Sequence, residues 1–286
     1  MLLGIDLGAT NLRIGRVLRG KIETIKQAPI DQTDDPDTLT NQILSLIESC
    51  WHPDIGSIGV GVPSVVDVDR GIVYDVQNIP SWKEIHLKDI LEERFSVSTC
   101  VNNDANCFVL GERYFGLAKD KKNVIGLIIG TGFGAGIVLN GRLVSGTNCG
   151  AGEVGMLPYR ESILEHYCSG QFFERFFGEK GVSIYEKAQQ GHQEAIDIYS
   201  EYAHHISEGI KAVLYAYDPE MILLGGATAQ VWSFIEKKVW KGLENFAYPN
   251  SLKDLHILPS TLEHVAVLGA AALFLDSTND NLSNKY

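Results

Sequence analysis

The amino-acid sequence predicts an α/β protein built from two related domains. It opens in the same way twice, since residues 5–17 (IDLGATNLRIGRV) and 127–139 (LIIGTGFGAGIVL) each combine an apolar strand, a glycine-rich turn and a second strand. Apolar strands and amphipathic helices alternate through both halves, a pattern that favours sheets with helices packed on their faces. This repetition indicates two copies of one α/β unit, and a cleft between two such domains is a common place for a small-molecule site.

Local patterns define the elements in chain order, because apolar or alternating runs predict strands and apolar residues at helical spacing predict helices. The predicted strands are residues 2–8, 12–18, 21–28, 57–63, 98–102, 124–129, 134–140, 142–144 and 221–224, with a hairpin over 65–76. The predicted helices are residues 39–47, 85–95, 105–115, 169–178, 195–217 and 267–274. A lysine-rich run at 119–122 marks the boundary between an N-terminal domain, residues 1–117, and a C-terminal domain, residues 118–264.

Composition narrows the classes of function. The 286 residues carry a formal net charge of −12, and 45% of them are hydrophobic. A nucleic-acid-binding protein usually carries the opposite charge, because it neutralises phosphates with Lys and Arg. Five cysteines without a CxxC pair argue against a disulfide framework, and no apolar run reaches the roughly 18 residues of a membrane span. Since the start also lacks a basic, apolar leader, we expect a cytoplasmic protein with neither nucleic-acid nor membrane partners.

The first glycine turn has the composition of a phosphate site. Asp6 ends an apolar strand and is followed by Gly8, Ala9, Thr10 and Asn11. Gly8 allows backbone amides to face an anion, Thr10 supplies a hydroxyl, and Asp6 can hold Mg²⁺ or a water bound to it. An ordinary hairpin turn capped by Asp and Asn explains the same residues, so the turn by itself leaves both interpretations open.

A second glycine turn follows the strand at 124–129. Its candidate phosphate-binding residues are Gly130, Thr131, Gly132 and Gly134. A second phosphate loop explains so many glycines better than a packing bulge, because each one costs backbone entropy. The spacing fits neither a P-loop nor a dinucleotide-binding fingerprint. Gly225 and Gly226, where the strand at 221–224 leads into a helix, suit the close approach of an adenosine, although such turns use glycine in any case.

Asp104 is the best candidate for a catalytic base, because it lies where a strand passes into a helix in the segment NNDAN. A carboxylate within hydrogen-bond reach of a sugar hydroxyl can take its proton as a phosphoryl group arrives, and Asn103 can orient a second hydroxyl. From this segment alone, a simple helix N-cap at Asp104 is the commoner explanation. Glu153, in the turn GAGEVG, is a weaker candidate for binding sugar hydroxyls, since solvated glutamates are common.

In combination, these segments resemble the ROK (repressor, open reading frame, kinase) family of bacterial sugar kinases. The matching segments keep the family's order over nearly the whole chain: DLGATN, GVPS at 61–64, NIPSW at 78–82, NNDAN, IGTGFGAGIVLNG, GAGEVG, LEHYCSG at 164–170, DPEMILLGG and LGAAAL at 268–273. The resemblance implies an actin-like ATPase (ribonuclease H-like) fold, with sugar and ATP in the cleft between two α/β domains. It also implies that the last helix, about residues 265–276, joins the N-terminal domain.

The same resemblance implies roles for single residues, with Asp104 as the base. The residues implied for the sugar are Pro63, Ser64, Asn78, Asn103, Asp104, Glu153 and Glu165. The residues implied for ATP and Mg²⁺ are Asp6, Gly8, Ala9, Thr10, Asn11, Gly130, Thr131, Gly132 and Gly134, with Gly225 and Gly226 on the adenosine side. The magnesium ligand among them would be Asp6, and a homodimer is the usual state in the family.

One segment departs from the family pattern. Family members commonly carry GEIGH, whose His binds zinc, followed by a CxCGxxGC loop. Here Met156 stands at the position of that His, and the stretch 158–164 is too short for the loop. A thioether replaces imidazole poorly, and Cys168 alone cannot complete a tetrahedral site, so we expect no structural zinc. Because the family His also touches the sugar, Met156 leaves the choice of hexose open.

The sequence thus predicts an ATP-dependent hexose kinase that phosphorylates the 6-hydroxyl of an aldohexose of the glucose or allose type. A kinase for N-acetylmannosamine or N-acetylglucosamine is the alternative within the same class. A sugar-responsive transcriptional regulator is the alternative of another class, and a catalytically silent sugar-binding protein is a third. We expect no helix-turn-helix domain, because the first strand already begins at residue 2.

Overall fold

The structure, a computed structural model, describes residues 1–8, 10–31, 35–76 and 79–283. Its strands are β1 (Leu2–Leu7), β2 (Asn11–Leu18), β3 (Lys21–Pro29), β4 (Ser57–Val62), β5 (Val65–Asp67), β6 (Ile72–Tyr74), β7 (Glu84–Ile85), β8 (Ser98–Asn103), β9 (Val124–Ile129), β10 (Phe133–Leu139), β11 (Arg142–Leu143), β12 (Pro158–Tyr159), β13 (Ser162–Ile163), β14 (Met221–Gly225) and β15 (His256–Pro259). Its helices are α1 (Pro36–Glu48), α2 (Leu87–Phe95), α3 (Asp104–Phe115), α4 (Leu164–Cys168), α5 (Gln171–Phe177), α6 (Gly181–Gln189), α7 (Gln193–Tyr217), α8 (Ala227–Leu243) and α9 (Val265–Ser283).

The two five-stranded sheets share one topology. The first has the order β3-β2-β1-β4-β8, and the second has the order β11-β10-β9-β14-β15. If the strands of each sheet are numbered by their order in the chain, both sheets have the same spatial order: third, second, first, fourth, fifth. In the first sheet β1 and β2 are antiparallel, whereas β1, β4 and β8 are parallel. In the second sheet β14 runs parallel to both β9 and β15. The predicted α/β class with a repeated unit is confirmed.

The chain groups into two compact units. The first unit comprises Met1–Lys122, Gly136–Ala151 and Thr261–Tyr286, and the second comprises Asn123–Ala135 and Gly152–Ser260. Residues 136–151, which the division at 117/118 assigns to the C-terminal domain, thus belong to the first unit. The reason is a close backbone approach to α3, because a Cβ on Gly136 would lie 2.1 Å from the carbonyl oxygen of Ala105.

Helix α9 is the packing element of the first unit. It packs on β1, β4 and α3 through an apolar surface in which Val267, Leu268 and Ala271 are buried. Glycines allow backbones to meet there, since a Cβ on Gly59 of β4 would lie only 1.8 Å from the carbonyl oxygen of Ala270. A Cβ on Gly269 would likewise lie 1.6 Å from the carbonyl oxygen of Cys107 in α3. The sheet, α3 and α9 are therefore held together by main-chain contacts.

Several short elements were not predicted. The strand β15, the hairpin β12–β13 and the helices α4 and α6 have no counterpart among the predicted elements. All of them are nine residues or shorter, and α6 begins with a glycine, so each gives only a weak periodic signal. Helix α8 was expected only as a helix after Gly226, without a range, and β7 was not predicted. Helix α9 extends to Ser283, well beyond the predicted end at residue 274, whereas the other predicted strands and helices occur within a few residues of their expected ends.

The helices and the cysteines bear on whether the chain spans a membrane and whether it contains disulfide bonds. Among the described residues, no helix combines the length and the apolar character needed to cross a bilayer. The five cysteines all lie in the described part of the chain, and each is a free thiol.

The contact between β4 and α9 leads to a stability prediction. Gly59→Ala should lower the free energy of unfolding by at least about 2 kcal/mol, because the new methyl group collides with a main-chain carbonyl that cannot rotate away. Urea denaturation measures this change. Gly56→Ala is the matched control, since a Cβ there meets nothing within 4 Å, and its change should stay within about 0.5 kcal/mol. Equal effects of the two substitutions would contradict this packing.

Candidate functional site

The polar residues of the first unit gather where three parallel strands end. Asp6 of β1 pairs with Gly61 of β4, and Gly61 pairs with Asn102 of β8, so the three residues lie at one level across the sheet. Neighbouring strands are about 4.8 Å apart. The residues that follow these strands therefore meet at a single edge of the sheet, which is where open α/β sheets commonly bind ligands.

Asp6 is held by an arginine on the adjacent strand. Its side chain is nearly buried, and Arg13 donates a hydrogen bond from Nη1 to Oδ2 at 3.1 Å. The two residues are direct cross-strand partners in the β1–β2 hairpin. Burial raises the pKa of Asp6, and the hydrogen bond and positive charge of Arg13 act in the opposite direction. An aspartate in this setting can offer an oxygen to a divalent cation.

The first glycine turn joins β1 to β2. Gly8 donates its N–H to the carbonyl oxygen of Asn11 at 3.0 Å, which closes the turn. The side chain of Asn11 donates to the hydroxyl oxygen of Thr10 at 2.9 Å, and Thr10 is exposed. The turn thus presents a hydroxyl and an amide at the edge of the sheet. Ala9, predicted for the same site, lies outside the described residues.

Asp104 is the first residue of α3, and the N-cap is Asn103. Asn103 Oδ1 accepts from the backbone N–H of Ala105 at 2.9 Å, so the interpretation of Asp104 as the N-cap was wrong. The carboxylate of Asp104 also accepts from that N–H, at 2.8 Å, and the residue is half-buried. A helix N-terminus favours a negative charge, so the start of α3 is a favourable place for a carboxylate.

The β4 strand ends beside this carboxylate. Gly61 allows the close approach, because a Cβ there would lie 3.8 Å from Asp104 Cα and 2.9 Å from Cys107 Sγ. Burial raises the pKa of Cys107 well above its usual range, and the charges of Asp104 and then Asp6 add to this shift. Both aspartates therefore lie within electrostatic reach of one buried thiol, which brings these two predicted site residues together.

Ser64 and Asn103 are also joined in the first unit. Asn103 Nδ2 donates to the carbonyl oxygen of Ser64 at 3.3 Å, and the Ser64 hydroxyl donates to the carbonyl oxygen of Tyr74. Pro63 and Ser64, the residues of the predicted sugar-binding turn, are half-buried directly after β4. Asn78, the remaining predicted sugar ligand on this side, lies outside the described residues.

The second unit brings its two glycine turns together. Ile128 of β9 pairs with Gly225 of β14, so the turns that follow these parallel strands are neighbours. Gly226 has a positive φ of 75°, and a Cβ there would lie 2.6 Å from the carbonyl oxygen of Ile129. Helix α8 begins at the next residue, with its first amide beside Gly130. A glycine turn beside a helix N-terminus is an arrangement that binds anions.

Glu165 fixes the glycine turn from the other side. Its Oε2 accepts from the backbone N–H of Phe133 at 3.0 Å, and its Oε1 accepts from Gln171 Nε2 at 2.9 Å. A Cβ on Gly132 would lie 2.9 Å from the same Oε2, so a larger residue there would have to displace this carboxylate. Gly170 N–H, just before α5, donates to the Gly130 carbonyl at 2.7 Å, which adds a second link between residues 165–170 and the turn.

Glu153 lies within electrostatic reach of Glu165. It is exposed and precedes a short 3-10 turn, Val154–Met156. Partial removal of water raises the pKa of Glu153, and the negative charge of Glu165 raises it further. Gly152 and Gly155 on either side pack against the backbone of residues 133–135, so this segment is fixed to the start of β10. The structure therefore places two predicted sugar-binding carboxylates near each other.

Thr131 and Gly134 are the remaining predicted site residues in the second glycine turn. Thr131 is exposed, and its carbonyl oxygen accepts from Gln171 Nε2 at 3.4 Å. Gly134 is half-buried at the start of β10, and a Cβ there would meet nothing within 4 Å. Sterics therefore do not require glycine at position 134, in contrast to position 132.

The segment that departs from the family's zinc-binding pattern forms a small hairpin, β12–β13, in place of a long loop. Met156 precedes it with 59% of its surface exposed. Cys168 is buried, and its thiol donates to the carbonyl oxygen of His205 at 3.1 Å. The imidazole of His205 contacts the Tyr159 hydroxyl at 3.0 Å through Nδ1. Within the described ranges, no group of three or more His, Cys, Asp or Glu side chains is arranged to hold a metal ion.

Sequence reasoning missed three residues that shape these clusters. Arg13 could have been found, because a tight hairpin centred between residues 9 and 10 pairs it with Asp6. Gln171 supports Glu165, and Asn102 makes four hydrogen bonds beside Asp104. No pattern in the sequence distinguishes either of these from an ordinary polar residue, since their partners lie on other elements.

Comparisons with known proteins place the chain among sugar kinases of one family. The sequence model of the ROK family matches residues 2–277. An N-acetyl-D-glucosamine kinase of Aliivibrio salmonicida is 29% identical over 290 residues, covering 90% of this chain and 95% of that protein. A glucokinase of Thermotoga maritima is 24% identical, covering 95% and 96%. Among solved structures, a ROK family glucokinase from Streptomyces griseus in complex with glucose and AMPPNP has a TM-score of 0.78 at 25% identity, covering 95% of this chain and 98% of that one.

The pair of glutamates in the second unit leads to a titration prediction. Glu165→Gln removes a negative charge beside Glu153, so the pKa of Glu153 should fall toward its ordinary value, although the partial removal of water keeps it somewhat raised. Carboxyl-carbon NMR of the glutamate-labelled protein measures this pKa directly. Glu161→Gln, an exposed change nearby, is the control and should leave it unaltered. An unchanged Glu153 pKa in Glu165→Gln would show that the two carboxylates are not coupled.

Proposed function

We propose that this chain, which belongs to the ROK family, transfers the γ-phosphoryl group of ATP to the 6-hydroxyl of an aldohexose with Asp104 as the general base. At the coarser level the chain is a sugar kinase, as its glucokinase and N-acetylglucosamine kinase relatives are. The observation that carries the finer proposal is the position of Asp104, half-buried at a helix N-terminus where three parallel strands end.

The glycine turns support the nucleotide part of the proposal. ATP fits a chain whose relative from Streptomyces griseus was solved with AMPPNP. Gly130, Thr131 and Gly132 would bind phosphate oxygens through their backbone amides, aided by the N-terminus of α8 after Gly226. Gly8 and Thr10 offer a second turn of the same kind in the first unit. The acidic chain would therefore bind a polyanion through amides and dipoles instead of through lysines.

Asp6 is the residue that fits a magnesium ion. Mg²⁺ prefers carboxylate and water oxygens and is usually held by one or two carboxylates together with substrate phosphates. Asp6 has one oxygen on Arg13, which orients the carboxylate and leaves its other oxygen for a cation or its water. The ion would supply positive charge to the transferring phosphoryl group.

In the proposed reaction, Asp104 accepts the proton of the attacking hydroxyl. Asn103 holds the backbone beside Asp104 through its bonds to Ala105 and Ser64. Positioning and charge stabilisation provide most of the acceleration in phosphoryl transfer, because the transition state is loose. The protein therefore contributes a fixed base and fixed phosphate contacts more than covalent chemistry.

The sugar would be recognised by carboxylates and amides. Asn103, Glu153 and Glu165 are the proposed contacts for its hydroxyls, with the Pro63–Ser64 turn beside them and Asn78 as a further proposed contact. Glucose or allose is the proposed substrate type. A second candidate is N-acetylglucosamine or N-acetylmannosamine, because the N-acetylglucosamine kinase from Aliivibrio salmonicida is 29% identical over 90% of this chain.

A transcriptional regulator and a catalytically silent sugar-binding protein both have less support than a kinase. A regulator of transcription would need to bind DNA, and the net charge of −12 opposes that. A silent sugar-binding protein would not require Asp104 together with two glycine turns suited to phosphate. A cytoplasmic location and a homodimeric state complete the proposal.

Replacing the proposed base gives the sharpest test of the mechanism. Asp104→Asn should leave the melting temperature within a few degrees of wild type and lower sugar-dependent ADP release by about 10²–10⁴-fold, because an amide cannot accept the proton. Asp37→Asn is the matched control, since Asp37 is also a first-turn helix aspartate but is exposed and distant in sequence. It should keep wild-type kcat.

A panel of glucose, allose, mannose, N-acetylmannosamine and N-acetylglucosamine identifies the substrate in the same assay. Full activity of Asp104→Asn with any of these sugars would remove Asp104 as the base. Wild-type protein that phosphorylates none of them would refute the hexose kinase proposal itself.

Metal removal tests two separate predictions, that phosphoryl transfer needs Mg²⁺ and that the fold needs no structural zinc. Treatment with EDTA should abolish phosphoryl transfer, and added Mg²⁺ should restore it, because the phosphate charge needs a cation. The same treatment should leave the melting temperature unchanged, since we expect no structural zinc. Elemental analysis of the purified protein should find no stoichiometric zinc. A fall in melting temperature with EDTA that zinc reverses would contradict this expectation.

A further inference from the structure

A buried hydrogen-bond network is centred on the residue two positions before Asp104. Asn102 is 3% exposed and uses both ends of its carboxamide. Its Oδ1 accepts from Asn103 N at 2.8 Å, from Asn106 Nδ2 at 2.8 Å and from Cys149 Sγ at 3.1 Å. Its Nδ2 donates to Ser145 Oγ at 3.3 Å. One side chain thus connects the end of β8, the first turn of α3 and the chain segment 145–149.

The position of this network explains why a carboxamide is present in the core. β8 is the last strand of its sheet, so it has a neighbour on one side only. Asn102 Oδ1 supplies an acceptor to the Asn103 amide at the point where the strand becomes α3. A buried carboxamide is costly unless its groups are paired, and here both ends are paired. An apolar side chain of similar volume would fill the space but would not fix this backbone turn.

Cys149 contributes a second, independent observation. Its backbone has φ of 56°, a left-handed conformation that is unfavourable for residues other than glycine. Its side chain is 4% exposed, and its thiol donates to Asn102. Ala151 N–H donates to the Ser145 carbonyl oxygen at 3.1 Å, which closes the loop around this residue. Strain of this kind persists where surrounding contacts over-determine it, and it concentrates at functional sites.

We propose that Asn102 is a positioning residue for the base Asp104, and that Cys149 ties the loop of residues 145–151 to the same carboxamide. The proposal rests on the kinase function given above. Since Asn103 and Asp104 follow Asn102 directly, the bond to the Asn103 amide sets the direction in which the chain enters α3. The loop continues into Gly152 and Glu153, so the base and the segment that leads to a proposed sugar ligand share one anchor.

The strain at Cys149 allows an experiment in which stability and activity separate. Cys149→Gly removes the thiol and at the same time relieves the positive φ. The melting temperature should stay the same or rise by a few degrees, whereas kcat should fall by about tenfold or more with the KM for ATP unchanged, because small displacements of a reacting group are costly. A variant that were merely less well folded would show the opposite change in melting temperature.

Four further variants complete the test. Cys149→Ser keeps a donor on a shorter bond and should recover part of the lost kcat relative to Cys149→Ala. Asn102→Ala should lower kcat by about 10²-fold and speed hydrogen exchange at the Asn103 amide while Val101 stays protected. Cys50→Ala is the matched control, since Cys50 is an equally buried thiol of the same unit outside the network. It should alter stability but not kcat.

The outcomes distinguish this proposal from the function on which it rests. Wild-type kcat in Cys149→Gly and in Asn102→Ala, from a protein that does phosphorylate a sugar, overturns the positioning role alone. Absence of sugar phosphorylation by the wild-type chain overturns both proposals. A lower kcat in Cys149→Gly and Cys149→Ala, with partial recovery in Cys149→Ser and an unchanged Cys50→Ala, supports the positioning role.

Discussion

The contact of main chain with main chain around α9 is the constraint on which the first unit depends. Gly59 and Gly269 bring α9 against β4 and α3 at distances that leave no room for a Cβ. Gly61 then allows the start of α3 to lie on β4 beside Cys107. Because backbone contacts of this kind cannot be adjusted by rotamer changes, they fix where α3 begins. The location of Asp104 is thus a consequence of backbone packing, and the helix that starts there favours a negative charge at its first residue.

Much of this arrangement could be predicted from local sequence patterns. The repeated opening at residues 5–17 and 127–139 indicated two related α/β units, and the two sheets share one strand order. Glycines after apolar strands predicted that other groups approach the backbone closely there. Gly226 lies against the main chain of Ile129, and Gly132 lies against the carboxylate of Glu165. The strand-to-helix transition at 102–106 pointed to Asp104, although the cap proved to be Asn103. Periodicity and turn composition are local signals, and they perform well where structure is decided locally.

The remaining features depend on partners that are distant in sequence. Glu165 bonds to Phe133 from 32 positions away, and Cys149 bonds to Asn102 from 47 positions away. Neither pair leaves a periodic trace, because each is a single contact between separate elements. The grouping of residues 136–151 with the first unit has the same origin, since it rests on the close approach of Gly136 to Ala105. Tertiary contacts of this kind need the fold before they can be recognised.

The double engagement of Glu165, a residue we propose as a sugar contact, limits how a relative of this chain could acquire a new sugar preference. One carboxylate oxygen holds the amide that follows the glycine turn, and the other holds Gln171. A substitution selected for a different sugar at this position would also loosen the turn proposed for the nucleotide. Substitutions that change sugar preference are therefore better tolerated at side chains that do not hold the glycine turn. The exposed Met156 is one such position, where a substitution should affect stability little.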